Sequence, residues 1–276
     1  MPQLISQCSV GFITLVFAAL SPAETIEVPA DHATIGAAIS AAEDGDDIRI
    51  SAGTYLESDL MLQSRNLRIT GEVDAWGHPL VTIDGSGTSS ILMGFGVVGS
   101  EGATVENIVF TGSVGNAVWI YHHAPTIRNC VFTGLAVDVP GGAVWAMDSE
   151  ALFEGCSFTY NTTASVGSLF FSGNVADGEP GPTLRTSVFC GNASELGQVV
   201  GTWSDGGGNS FAGDCVDTSA CAADLDGDGT VNGIDLSFIL GNWGICGFCP
   251  ADLNRDGAVD GADLTLILAN WGGCEA

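Results

Sequence analysis

"VENIVFTGS" spans residues 105–113, and near-copies follow as "IRNCVFTGL" (127–135), "FEGCSFTYN" (153–161), "RTSVFCGN" (185–192) and "GGNSFAGD" (207–214). They place Phe110, Phe132, Phe158, Phe189 and Phe211 at equivalent points, with spacings of 22, 26, 31 and 22 residues. Repeats in this range mark solenoids, and uneven spacing puts insertions in the loops between strands. Each copy is a short β-type run closed by Gly, Asn or Thr, and no helical period separates the copies. The pattern predicts stacked parallel β-coils, one inward phenylalanine per coil, with Asn107, Asn129 and Asn209 near a shared corner.

Upstream, "ADHATIGAAISAAEDGDDIRISAGTYLE" (30–57) supplies a start. Ile35, Ala38, Ile39 and Ala42 form one apolar helical face behind Asp31 as an N-cap. Ile48 and Ile50 then alternate as a first strand, followed by a turn at "AGTY". Such a helix can plug the open apolar end of a solenoid, where unpaired strands would otherwise aggregate. This segment resembles the start of pectate-lyase-like, right-handed parallel β-helix proteins, a resemblance spanning roughly residues 24–213 that implies fold rather than activity. An immunoglobulin-like sandwich is the competing fold; its strands would be more closely spaced and the helix would have no role. Cys130 and Cys156 each lie two residues before their phenylalanine, so they share the inward face one coil apart, as stacked thiols or as a bridge. Cys190 follows Phe189 and faces outward, with Cys215 at the domain edge as a candidate partner.

A second, stricter repeat closes the chain. "CAADLDGDGTVNGIDLSFILGNWGIC" (221–246) and "CPADLNRDGAVDGADLTLILANWGGC" (249–274) align at a constant offset of 28 residues. A calcium loop takes oxygen ligands at positions 1, 3, 5, 7, 9 and 12, with Gly at 6 for the turn. The first repeat offers Asp224, Asp226, Asp228, the Thr230 carbonyl, Asn232 and Asp235. The second offers Asp252, Asn254, Asp256, the Ala258 carbonyl, Asp260 and Asp263. Carboxylates this close repel one another unless a cation lies between them, so two Ca2+ ions are expected. Val231 and Val259, at position 8, are expected to pair the two loops.

Both loops lack an entering helix, and the exiting helix carries Leu236, Ile239, Leu240 and Trp243 at helical spacing. The pattern resembles a type I dockerin over residues 222–273, which implies docking to a cohesin-like or other surface-anchoring protein. It departs from that family at positions 10 and 11, here Gly233-Ile234 and Gly261-Ala262, and in its four flanking cysteines. A helix from Asp235 to Cys246 would run about 16 Å, too far for Cys221 to bridge Cys246. In an antiparallel pair of repeats the start of one lies beside the end of the other, favouring Cys221–Cys274 and Cys246–Cys249. A redox role for "CGFC" lacks the preceding strand and long following helix it would need. A calcium sensor is disfavoured too, because no helix pair can open.

The composition matches an exported protein. Residues 1–23 read as a signal peptide, with an apolar "VGFITLVFAAL" and small residues Ser21 and Ala23 before the cleavage point; an N-terminal anchor is the alternative. Cleavage leaves eight of nine cysteines, an even number suited to an oxidising compartment. The expected organisation is then β-helix 24–213, linker 214–220 and calcium module 221–276 in a secreted or surface-anchored chain. With 33 acidic residues, six arginines and no lysine, the formal charge of −27 excludes nucleic-acid partners and membrane insertion after cleavage is not expected.

Catalysis is left open by the sequence. A glycosidase needs two carboxylates about 5–10 Å apart, and a lyase needs a base, often arginine, with a cation on the uronate. Candidates are Asp138, Asp148, Glu150 and Glu154 on neighbouring coils and Asp177 and Glu179 in a later loop, none in a recognisable signature. Trp119, Tyr121, His122 and His123 suggest a sugar-stacking surface, with Trp119 and Trp145 equally readable as core. The two readings are a non-catalytic, anchored β-helix that binds polysaccharide, and a lyase or hydrolase delivered by its dockerin.

Overall fold

The computed structural model describes residues 23–62, 65–75, 77–87, 90–95, 101–137, 141–163, 170–173, 181–194, 197–212, 215, 223–225, 230–245, 251–254 and 258–273. From Thr25 to Phe211 the chain winds as a parallel β-helix. Its three long faces are parallel sheets of eight, six and seven strands, and a fourth, three-stranded sheet occupies an added corner. Strands that neighbour in a sheet come from successive coils, so paired strand residues sit at the same point of successive turns.

Three in-register ladders form the core. On the eight-stranded face Ile48, Ile69, Val105, Ile127, Phe153 and Leu184 follow one another. The six-stranded face aligns Leu60, Leu92, Val118, Val144, Phe170 and Val199. The seven-stranded face carries the phenylalanine ladder, which Tyr55 and Ile83 extend toward the N-terminus. Its rings stack at centroid separations of 5.1, 4.6, 4.4 and 4.9 Å from Phe110 to Phe211. Apolar side chains in these rows remove one another from water continuously along the axis, which is what makes short strands of two to six residues stable together.

The expected corner is present at the position three residues before each phenylalanine. Asn107, Asn129, Gly155, Thr186 and Gly208 all adopt positive φ there. Asparagine tolerates that conformation by bonding locally. Asn209 lies one residue further on and does a different job: its Oδ1 accepts from Ser187 N at 3.0 Å, and its Nδ2 donates to the Leu184 carbonyl at 2.8 Å.

The N-terminal helix α1 (Ile35–Ala41) packs against the first coil with Ile35, Ala38 and Ile39 buried. Its N-cap is Thr34, not Asp31; Asp31 instead accepts from Glu27 N at 2.8 Å in the preceding turn. Glu57 accepts from Ile35 N and Gly36 N at 2.7 and 2.8 Å, and Arg65 donates to the Ile39 and Ala42 carbonyls at 2.6 and 2.9 Å. A carboxylate at the helix start and a guanidinium at its end both match the helix dipole. The first strand is Thr25–Val28 rather than Ile48–Ile50, which lies in the second, and "AGTY" is not a turn, because Gly53–Leu56 pairs in the sheet.

A separate small core holds the C-terminal module: Ala223, Val231, Ile239, Ala251, Leu253, Val259 and Ile267. Helices α2 (Gly233–Gly241) and α3 (Gly261–Ala269) are nine residues each, so α2 ends well before Cys246. Leu236 and Ile239 face the core, whereas Leu240 and Trp243 are exposed. No helix among the described residues is long and apolar enough to cross a membrane.

Candidate functional site

Each C-terminal loop ends in a buried carboxylate held the same way. Asn232 and Asp260 are N-caps that accept from Ile234 N and Ala262 N at 2.8 and 2.7 Å, each within a capping box. Asp235 Oδ2 accepts from Asn232 N at 2.7 Å while Oδ1 accepts from Leu225 N at 2.6 Å. Asp263 Oδ2 likewise accepts from Asp260 N at 2.9 Å, while its Oδ1 accepts at 3.1 Å from Asn254 N, one position further along its loop than Leu225. Both carboxylates are 0% exposed, and Asp252 is 6% exposed. An ionised carboxylate offers about four acceptor positions, so such a group can accept N–H bonds and ligate a hard cation at once.

Among the described residues the short strands of the loops pair with the ends of the opposite repeats. Thr230–Val231 runs antiparallel to Gly272–Gly273, and Ala258–Val259 runs antiparallel to Gly244–Ile245. The backbones of Val231 and Val259 therefore pair with glycines beyond the opposite helix, while both side chains lie in the same buried core. The middle of each repeat lies beside the end of the other, and Cys221, Cys246, Cys249 and Cys274 lie outside the described residues. Asp226, Asp228 and Asp256 lie outside them as well. Among the described residues no three His, Cys, Asp or Glu side chains converge as a metal site. Of the expected ligands, Asp224, Thr230, Asn232 and Asp235 of the first loop and Asp252, Asn254, Ala258, Asp260 and Asp263 of the second lie among the described residues. Gly233-Ile234 and Gly261-Ala262, at positions 10 and 11 of the two loops, are exposed on the first turns of α2 and α3.

On the solenoid the histidine pair sits at the end of the six-stranded face. His122 and Asp148 occupy the same corner of adjacent coils, both at positive φ, with His122 Nε2 3.9 Å from Asp148 Oδ2. His123 turns inward and is 2% exposed, and neither ring nitrogen has a hydrogen-bond partner among the described residues. Burial lowers its pKa, keeping it neutral. Trp119 and Trp145 lie on the outer face but stack on one another at 5.3 Å and 27°. Their facing planes cover each other, so one face of each ring is taken up by the other.

The remaining carboxylates divide by position. Glu154 is a strut in an ion-pair ladder along the eight-stranded face, 3.2 Å from Arg128 and 3.3 Å from Arg185, while Glu106 binds Arg68 at 2.5 Å and Arg128 at 3.8 Å. Glu150 is exposed, and Asp138, Asp177 and Glu179 lie outside the described residues. Every described arginine is engaged, since Arg49 pairs with Asp47 at 3.0 Å and Arg65 holds α1. The spacing in the sequence could not reveal this ladder, because Arg68 and Glu106 are 38 residues apart.

Cys190 and Cys215 form a disulfide with Cα atoms 4.8 Å apart, and Cys130 and Cys156 are free buried thiols rather than a bridge. Cys190 points off the phenylalanine face as expected but is only 1% exposed.

No protein-family model matches the chain, and no curated protein matches it. Among solved structures it is similar to a pectin methylesterase from Aspergillus niger in a penultimately deglycosylated form, at 15% identity and a TM-score of 0.40, covering 71% of this chain and 86% of that one. The deglycosylated form of that enzyme matches at 14% identity and a TM-score of 0.39, covering 71% and 87%. A mutant pectin methylesterase in complex with a hexasaccharide matches at 14% and 0.36, covering 67% and 82%. No residue role is carried over from these enzymes.

Proposed function

We propose that this chain is an exported, calcium-dependent anchoring protein: its C-terminal module binds two Ca2+ ions and fastens a non-catalytic, polysaccharide-binding β-helix to a cohesin-like or other surface protein. The observation that carries the reading is the duplicated pair of fully buried carboxylates, Asp235 and Asp263, closing loops 28 residues apart and each accepting from its helix's N-cap amide. The Cys190–Cys215 disulfide suits an oxidising compartment. Non-catalytic binding is favoured because the described arginines and Glu154 are committed to structural ion pairs or helix carbonyls.

The alternative is a lyase or hydrolase carried by the same module, favoured by the His122–Asp148 contact at the solenoid corner. The test incubates the protein, with calcium and with chelator, with neutral and acidic polysaccharides, following reducing and unsaturated ends and measuring retention on the insoluble substrates. Calcium-independent retention without new ends supports the binding reading. Turnover that is lost in Asp148→Ala would overturn it in favour of the enzyme.

A further inference from the structure

The two calcium loops are duplicates in sequence, but the solenoid touches one of them through Tyr160. This residue stands two positions after Phe158, at a corner where neighbouring coils have Gly112, Gly134 and Gly191, and like them it has positive φ. A tyrosine in a position that glycine otherwise fills is strained, and the strain has a local purpose: it aims the ring across the next coil. The ring lies over Gly191, where an added Cβ would sit 2.8 Å from Tyr160 Cε1 and 3.1 Å from Cys215 Sγ. The seat is thus made by a missing side chain and by the Cys190–Cys215 disulfide. From there Tyr160 Oη donates to the main-chain carbonyl of Asn254. The amide N–H of Asn254 in turn donates to Asp263 Oδ1 at 3.1 Å.

We infer that Tyr160 is a positioning residue that clamps the second loop and makes the two sites unequal, an inference that rests on the calcium reading above. One residue's backbone joins the solenoid tyrosine to the buried carboxylate that closes loop two. Holding that backbone before the ion arrives removes part of the ordering cost of binding. By linkage, an ion in loop two tightens the seating of the module on the solenoid by the same factor. The clamp belongs to loop two alone, because one side chain cannot serve both loops. A calcium-loaded module would then hold the β-helix in a set orientation, and calcium loss would release it.

The test is a calorimetric titration of the full chain with calcium chloride, comparing the unsubstituted protein, Tyr160→Phe and Asp263→Asn. One of two binding steps weakens by about three- to tenfold in Tyr160→Phe, the scale of one hydrogen bond, and that same step is the one missing in Asp263→Asn. Gly191→Ala, which crowds the ring's seat without touching the module, weakens the same step. Unchanged affinities in Tyr160→Phe, or equal weakening of both steps, would overturn the clamp while leaving the calcium reading in place. Absence of calcium binding in the unsubstituted chain overturns both.

Discussion

Replacing Phe158 by alanine tests whether the phenylalanine ladder holds the solenoid together. Phe158 is fully buried, with Phe132 at 4.6 Å and Phe189 at 4.4 Å on its two faces, their planes within 5° and 7° of its own. Phe153 and Phe170 close the sides at 6.4 and 6.2 Å. A buried Phe→Ala change costs about 3–5 kcal/mol, and two stacked pairs place this residue at the upper end, about 5 kcal/mol. Phe211 ends the same ladder with 46% exposure and one stacked neighbour, so its alanine variant costs about 2 kcal/mol. Urea unfolding followed by far-UV circular dichroism at fixed calcium gives both values by linear extrapolation. Equal losses, or a loss below about 2 kcal/mol for Phe158→Ala, would refute the ladder as the source of cohesion.

Three further outcomes follow from the same structure. Burial lowers the pKa of His123 from its ordinary 6.5, so the unfolded residue takes up a proton first as the pH falls. Its stability contribution is complete above about pH 6.5 and is lost as the pH falls toward the depressed folded pKa; His123→Leu flattens this part of a denaturation–pH profile. Burial raises the thiol pKa of Cys130 and pushes that of Cys156 up to about 12, so iodoacetamide at neutral pH labels the peptides carrying them only after denaturation, as read by mass spectrometry. At Gly201, φ is +105° and an added Cβ would fall 1.5 Å from the Ser172 carbonyl oxygen, so Gly201→Ala destabilises by about 3 kcal/mol in the same urea assay.

The sequence disclosed whatever repeats along it. The phenylalanines at 22–31-residue intervals place the coils, because an inward position must recur once per turn wherever its loops wander. Asn107 and Asn129 show the corner for the same reason, and Asn209 misleads because its coil has Gly208 at that point. Local competition decided the rest. Thr34 displaces Asp31 as cap because the helix begins at Ile35, and glycine-led "GTYL" pairs as a strand because Val81–Asp84 offers it a partner. Asp235 and Asp263 stand out from the spacing as the loop-closing residues, and both are buried on the first turn of a helix, but the crossed pairing of Val231 with Gly272 and of Val259 with Gly244 was not legible, since nothing in a repeat states which copy it meets. Tyr160 carried no signal at all: it is one residue in a turn, and its partner lies 94 positions away.

The central claim is that the C-terminal repeats bind calcium, one ion each. Mass spectrometry of the intact chain under non-denaturing conditions tests it directly, with the protein prepared in calcium and then stripped with chelator. The account predicts a mass difference of two calcium ions, falling to one in Asp235→Asn and to one in Asp263→Asn. No bound calcium, or a count that neither substitution changes, would contradict it.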